Sequence, residues 1–159
     1  MGKSRGFTLI ELMVTIAIFS IIAMMAVPAF GNMMLAQNFN KSTQELVSTL
    51  NEARAKAVLE RREITVKLNN TLPSPNTPTQ LNWLPIGESI LKTGSPTEIV
   101  FGLTGGVFIK DPSDSTKWIP QTVTTTFTIC NQYAGSNRKS KTVSISRMGT
   151  IQQITEGTC

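Results

Sequence analysis

Glu11 is the residue whose setting most demands chemistry. It lies in an apolar run that opens at Phe7 and reaches Phe30, and up to Pro28 the other polar residues are Thr8, Thr15 and Ser20. Held as a helix, the 22 residues from Phe7 to Pro28 extend about 33 Å, enough to cross a hydrocarbon core. An ionised side chain at that depth costs roughly 2.5–3.5 kcal/mol on insertion scales, so a carboxylate there is expected to face a partner. The run contains no cation, and one must come from elsewhere. Two thiols, Cys130 and Cys159, form a second candidate. In a small domain in an oxidising compartment an even number of cysteines reads as a disulfide, and two leave one connectivity. A metal would need more ligands than two thiols, and redox pairs are usually much closer in sequence. The bridge would close a loop of about 30 residues, worth on the order of 3–4 kcal/mol in the chain-entropy account.

A third candidate is cationic. Arg138, Lys139, Lys141 and Arg147 fall close together in sequence and could contact phosphates, with a steep salt dependence. Equally, Arg138 to Lys141 is a solvated hairpin edge, where lysines discourage further pairing. Catalysis finds little support. The chain has no His, which removes the usual general base near neutral pH and the commonest metal ligand. A Ser or Thr nucleophile would then need a Lys or carboxylate base that no spacing identifies. Glu88, Glu98, Asp111 and Asp114 are scattered among turns. No enzyme activity, cofactor, metal or small-molecule substrate is expected. Trp83 and Trp118 are expected in the core or anchoring loops, ahead of partner contacts.

The elements that position these groups follow from pattern. Lys3 and Arg5 precede the apolar run, whereas Gly31 to Met34 carry no positive charge. The positive-inside rule therefore puts the N-terminus in the cytoplasm and the rest of the chain outside it. Leu35, Phe39, Leu46, Leu50, Ala53 and Ala57 recur at helical steps, with Lys41, Gln44, Glu52, Lys56 and Glu60 on the other face. This amphipathic helix is expected to end near Arg61 or Arg62, because Glu63 to Leu68 alternates with period two. Residues 69–82 carry Asn69, Asn70, Pro73, Pro75, Asn76 and Pro78, a composition that predicts an exposed loop. Further strands are expected at Glu98 to Phe101, Val107 to Lys110, Val123 to Cys130 and Thr142 to Ser146, with turns at 105–106, 111–114 and 134–137. Beyond Phe30 there is room for one modest domain, with no internal repeat. The formal charge of +5 drops to +3 without Lys3 and Arg5, too small an excess to announce a nucleic-acid binder.

Gly6-Phe7-Thr8-Leu9-Ile10-Glu11-Leu12 resembles the leader junction of type IV pilins and type II secretion pseudopilins. The resemblance covers about 25 residues and includes Pro28, the helix-kinking proline of many pilins. It implies that residues 1–6 are a leader cut by prepilin peptidase between Gly6 and Phe7, and that Phe7 is then N-methylated. It also implies that Glu11 pairs with the new N-terminal amine of a neighbouring subunit in a fibre, which would supply the missing cation. A secretory signal peptide would have a shorter apolar run and a small-residue cleavage site, and a plain anchor explains neither Glu11 nor Gly6 before Phe7.

Ile99 to Gly105 is similar to the Phe-x-x-x-Gly feature of the GspH/FimT branch of that family, and Val143 to Ile151 resembles its closing strand and turn. The α+β, pilin-like fold thereby implied is a long N-terminal transmembrane and amphipathic helix packed on antiparallel β-sheet. It divides into a leader (1–6), a transmembrane and fibre-core helix segment (7–30) and a periplasmic domain (31–159) that includes the amphipathic half of the helix. The function implied is that of a minor pilin, held in the inner membrane and later in the fibre or its tip, that primes or caps a type IV pilus. Its partners would be prepilin peptidase, other minor pilins and the major pilin. A minor pseudopilin in protein export, with pseudopilin partners, remains open. So does DNA binding in natural transformation, although the Gly-Arg-x-Arg pattern of the DNA binders is replaced here by Gly149-Thr150-Ile151-Gln152.

Overall fold

The computed structural model describes residues 7–68, 74–111, 113–114, 116–131 and 138–159, excluding the side chains at 25 and 27–29. The expected leader, the turn at 134–137 and part of the expected loop at 69–82 lie outside the described residues. One helix, α1, runs Leu9–Glu60. It passes position 28 as a single element, although a proline there leaves the carbonyl of Met24 without its helical donor. The helix stops where the sequence pattern places its end. Arg61 turns left-handed with φ 48°, and the Arg62 N–H donates back to the Ala57 carbonyl at 3.3 Å, the closure of a Schellman motif.

The chain divides into two compact units, Met1–Met34 and Leu35–Cys159. In the first, the described apolar side chains of α1 are exposed, from Leu9 through Phe19 to Phe30. Its hydroxyls are satisfied within the helix, Thr15 donating to the Leu12 carbonyl and Ser20 to that of Ile16, both at 2.8 Å. Among the described residues no helix is long and apolar enough to cross a membrane.

The second unit holds the core. Phe39, Leu46, Leu50, Ala53 and Ala57 are buried and Leu35 is half-buried, as the helical spacing requires. Among the described residues nine strands follow: β1 (Ile64–Leu68), β2 (Gln80–Trp83), β3 (Ser89–Leu91), β4 (Glu98–Phe101), β5 (Val107–Lys110), β6 (Trp118–Pro120), β7 (Thr125–Asn131), β8 (Lys139–Ile145) and β9 (Ile151–Thr158). They form a five-stranded sheet in the order β2-β1-β4-β5-β6 and a four-stranded sheet in the order β3-β7-β8-β9. All pairings are antiparallel except β1 with β2. Alternation sends Ile64, Val66, Ile99, Phe101, Phe127, Ile129, Val143 and Ile145 into the core. Among the described residues every buried apolar side chain lies between Phe39 and Ile145, so this unit carries that core and is expected to fold on its own.

Three expectations are corrected. Residues 80–82, placed in a loop, belong to β2 with Trp83, because Leu81 and Trp83 are buried there and the Trp83 indole N–H donates to the Ser42 carbonyl at 3.1 Å. Val123 lies outside β7 and is exposed. Arg138 to Lys141 is not an edge, since β8 begins at Lys139 and β9 lies outside it.

Candidate functional site

The residues singled out at the N-terminus sit where α1 begins. Phe7 is 78% exposed. Thr8 caps the helix, its hydroxyl accepting from the Glu11 N–H at 3.3 Å and donating to the Glu11 carboxylate at 3.2 Å. The same carboxylate oxygen accepts from the Thr8 N–H at 3.4 Å. These contacts make Thr8-x-x-Glu11 a capping box, in which two otherwise orphaned donors are satisfied reciprocally. The spacing was legible in the sequence, and it gives Glu11 a local role that the charge argument alone misses. Among the described residues Glu11 has no cationic partner, and the exposed carboxylate retains acceptor capacity. Gly6 lies outside the described residues.

The four cations do not form one patch. β8 separates them, because a strand advances about 3.3 Å per residue, which puts Arg147 roughly 20 Å along the chain from Lys141. Lys141 is also engaged. Its ammonium donates to the Asn40 side-chain oxygen at 2.7 Å, pairs with Glu156 at 3.2 Å and stands 5.7 Å from the centre of the Phe39 ring. Only 19% of its side chain is exposed. Arg138 and Lys139 remain exposed at one end of β8, and Arg147 is exposed in the turn at the other. The alternation explains this division. Lys141 lies opposite Ile129 on the core-facing side of the sheet, where a cation reaching the rim is held by aromatic and carboxylate neighbours.

The glycine motifs meet each other. Gly105, in the β4–β5 turn, has φ +80°, and Gly149, in the β8–β9 turn, has φ +75°. A Cβ on Gly149 would lie 2.3 Å from the Gly105 carbonyl oxygen and 3.0 Å from the Arg54 side chain. Arg54 reaches from α1 and donates from Nε to the Met148 carbonyl at 3.1 Å. Val107 N–H donates to the Arg147 carbonyl at 3.0 Å, completing the joint between the two sheets. Turn chemistry alone accounts for the positive φ values; the close backbone approach gives the second reason for glycine.

Cys130 and Cys159 are bonded, with Cα atoms 6.0 Å apart. The bridge passes from the end of β7 to the residue after β9 and so spans β8. The carboxylates are dispersed. Glu98 lies between Lys67, at 3.8 Å, and Lys110, and Lys110 stands 5.6 Å from the centre of the half-exposed Trp118 ring. Asp114 accepts from the Thr116 hydroxyl and N–H at 2.5 and 3.0 Å, which holds its pKa below the ordinary value; the hydroxyl is the larger cause. No group of three His, Cys, Asp or Glu that could hold a metal occurs among the described residues.

A helix that is apolar all round at one end, leading into a helix-on-sheet domain, defines a pilin-like α+β protein. Residues 1–27 match the prokaryotic N-terminal methylation motif, and residues 42–149 match the type II transport protein GspH. The second match spans more than half of the sequence, and the chain belongs to the GspH family, whose members are structural pilins and pseudopilins anchored by their N-terminal helix. Two fimbrial proteins of Pseudomonas aeruginosa are 39% identical over 64 residues, 40% of this chain and 41% of theirs. The type II secretion system protein H of the same species is 29% identical over 107 residues, 66% of this chain and 62% of its own. The fimbrial protein EcpB of Eikenella corrodens is 47% identical over 49 residues, 31% of each chain. The chain thus matches less than two thirds of the length of each of these relatives. No solved structure matches it.

Proposed function

We propose that this chain is a minor pilin that helps to prime or cap a type IV pilus. The observation that carries this reading is the exposed apolar half of α1. A helix hydrophobic on all sides must be covered by lipid or by other helices, and a fibre subunit uses both in turn. Prepilin peptidase cuts between Gly6 and Phe7 and Phe7 is N-methylated, leaving the N-terminus on the cytoplasmic side of the inner membrane and the sheet domain in the periplasm. On assembly, Glu11 accepts the N-terminal amine of a neighbouring Phe7, the capping box with Thr8 holding the carboxylate at the helix start. Pro28 supplies a bend as the helix packs among other minor pilins and the major pilin.

A second reading, a minor pseudopilin of a type II secretion system, is favoured by one observation. The match to a secretion protein H extends over 66% of the chain, against 40% for the fimbrial proteins. DNA binding has no such support, because Lys141 is engaged and Arg147 lies apart.

The test is to crosslink a tagged chain in its native cells and to identify by mass spectrometry both the attached proteins and the chain's own N-terminus. A methylated Phe7 with minor and major pilins attached is the expected result. Pseudopilins attached instead would move the protein to export, and an N-terminus elsewhere than Phe7 would sink both readings.

A further inference from the structure

The outer edge of β9 is built to accept another strand. β9 has eight residues and ends the four-stranded sheet, whereas the other sheet-ending strands, β2, β3 and β6, have three or four. It contains neither Lys nor Pro, two of the devices by which natural edges are blunted. Its single carboxylate, Glu156, is matched by Lys141 at 3.2 Å. The register tells which backbone groups are free. Cys159 N–H donates to the Arg138 carbonyl at 2.8 Å, so the rung joining these residues is hydrogen-bonded. Antiparallel rungs alternate. Given the pairing of Lys139 with Thr158, Lys141 with Glu156 and Val143 with Ile154, the N–H and C=O groups of Ile154, Glu156 and Thr158 point away from β8. Among the described residues no strand meets them.

We propose that the occupant is β9 of a second copy of this chain, paired antiparallel about a two-fold axis at Thr155. Only registers that oppose outward-pointing residues can form hydrogen-bonded rungs. Centring on Glu156 would set like charges against each other, which destabilises a sheet. Centring on Thr155 places Ile154 against the Glu156 stem of the other copy and covers an isoleucine left 45% exposed. It also continues a row already present. Thr128, Thr142 and Thr155 lie side by side across β7, β8 and β9, with the Thr128 and Thr142 hydroxyls 3.0 Å apart. The symmetric pairing sets Thr155 beside Thr155 and extends the row into the second copy, and cross-strand threonine pairs are among the favourable ones.

Thr155→Cys in the full-length chain, mildly oxidised in membranes, is expected to give a covalent dimer that retains the Cys130–Cys159 bond. Ser144→Cys, on the same face but one strand inward, is expected to give none. For the unit beginning at Leu35, sedimentation equilibrium is expected to show a reversible monomer–dimer transition. Glu156→Pro removes an outward N–H while leaving the hydrogen-bonded rungs to β8, so dimerisation should weaken about tenfold or more with the melting temperature held within a few degrees. Glu156→Ala keeps that N–H and should still dimerise. A unit that stays monomeric over the whole concentration range, a proline variant that dimerises like the parent, or equal crosslinking at positions 144 and 155 overturns the proposal, and so does an edge that takes up a different protein while never pairing with itself.

Discussion

Ile16 and Leu46 are aliphatic residues on the same helix, and they meet opposite surroundings. Ile16 is 58% exposed, as are its apolar neighbours to a similar degree, whereas Leu46 is fully enclosed by helix and sheet. Both residues are helical, so the difference in exposure lies in what each segment has to pack against. The half beyond residue 34 shows polar residues on one face and apolar residues on the other, the pattern of a helix that finds its partner within its own chain. The half before it is apolar all round, so its partner must be lipid or other helices. The comparison teaches that one continuous helix can be covered by its own chain at one end and require cover from outside the chain at the other.

The sharpest way to break this comparison is to separate the two halves. A chain beginning at Leu35 should lose membrane association altogether and still melt cooperatively, within a few degrees of the intact chain in detergent, by circular dichroism. A unit that failed to fold would mean that the apolar half contributes to the core. The bridge comes next in size. Replacing Cys130 and Cys159 by Ser should cost about 3–4 kcal/mol in urea unfolding, with no effect on membrane association. Leu46→Ala should cost about 3 kcal/mol through lost burial and a residual cavity, while Ile16→Ala leaves the same unfolding curve in place. Equal losses at the two positions would erase the contrast. Gly149→Ala should cost about 1–2 kcal/mol, because the residue is left-handed and its Cβ would strike the Gly105 carbonyl oxygen.

The smallest effect is the pH dependence at Asp114. Its folded pKa lies below the ordinary 3.8, so the stability it contributes is present above that value and is lost as pH falls through the folded pKa. Asp114→Asn should lower the melting temperature slightly above about pH 4, where the ionised carboxylate contributes, and leave it nearly unchanged in stronger acid, so that the acid limb is flatter. An unaltered acid limb would remove Asp114 as a contributor.

Much of the sheet was legible because burial alternates. β1 and the first part of β7 carry alternating buried and more exposed positions, and both lie close to where that alternation puts them. β2 escaped because four strand residues follow a stretch of Asn and Pro, and no short-range pattern reports that Trp83 finds a carbonyl on α1. β9 escaped for the opposite reason, since an edge strand exposed along nearly its whole length has no burial period to read. The N-terminal site was legible in residue type and position, and even the capping box stood in the spacing of Thr8 and Glu11. The basic residues misled because nearness in sequence is not nearness in space once a strand extends between them. Nor does sequence reveal that a lysine such as Lys141 is enclosed by partners contributed from α1 and β9.

The bond between Cys130 and Cys159 also has a mechanical consequence. It shortcuts the 29-residue separation between them, a stretch that would otherwise reach about 100 Å when drawn straight. Tension applied between the helix and Cys159 passes through the sulfurs and leaves β8 and β9 slack inside a closed ring. A subunit loaded in this way can lose its five-stranded sheet to force and still keep the β7–β8–β9 connection that the ring encloses.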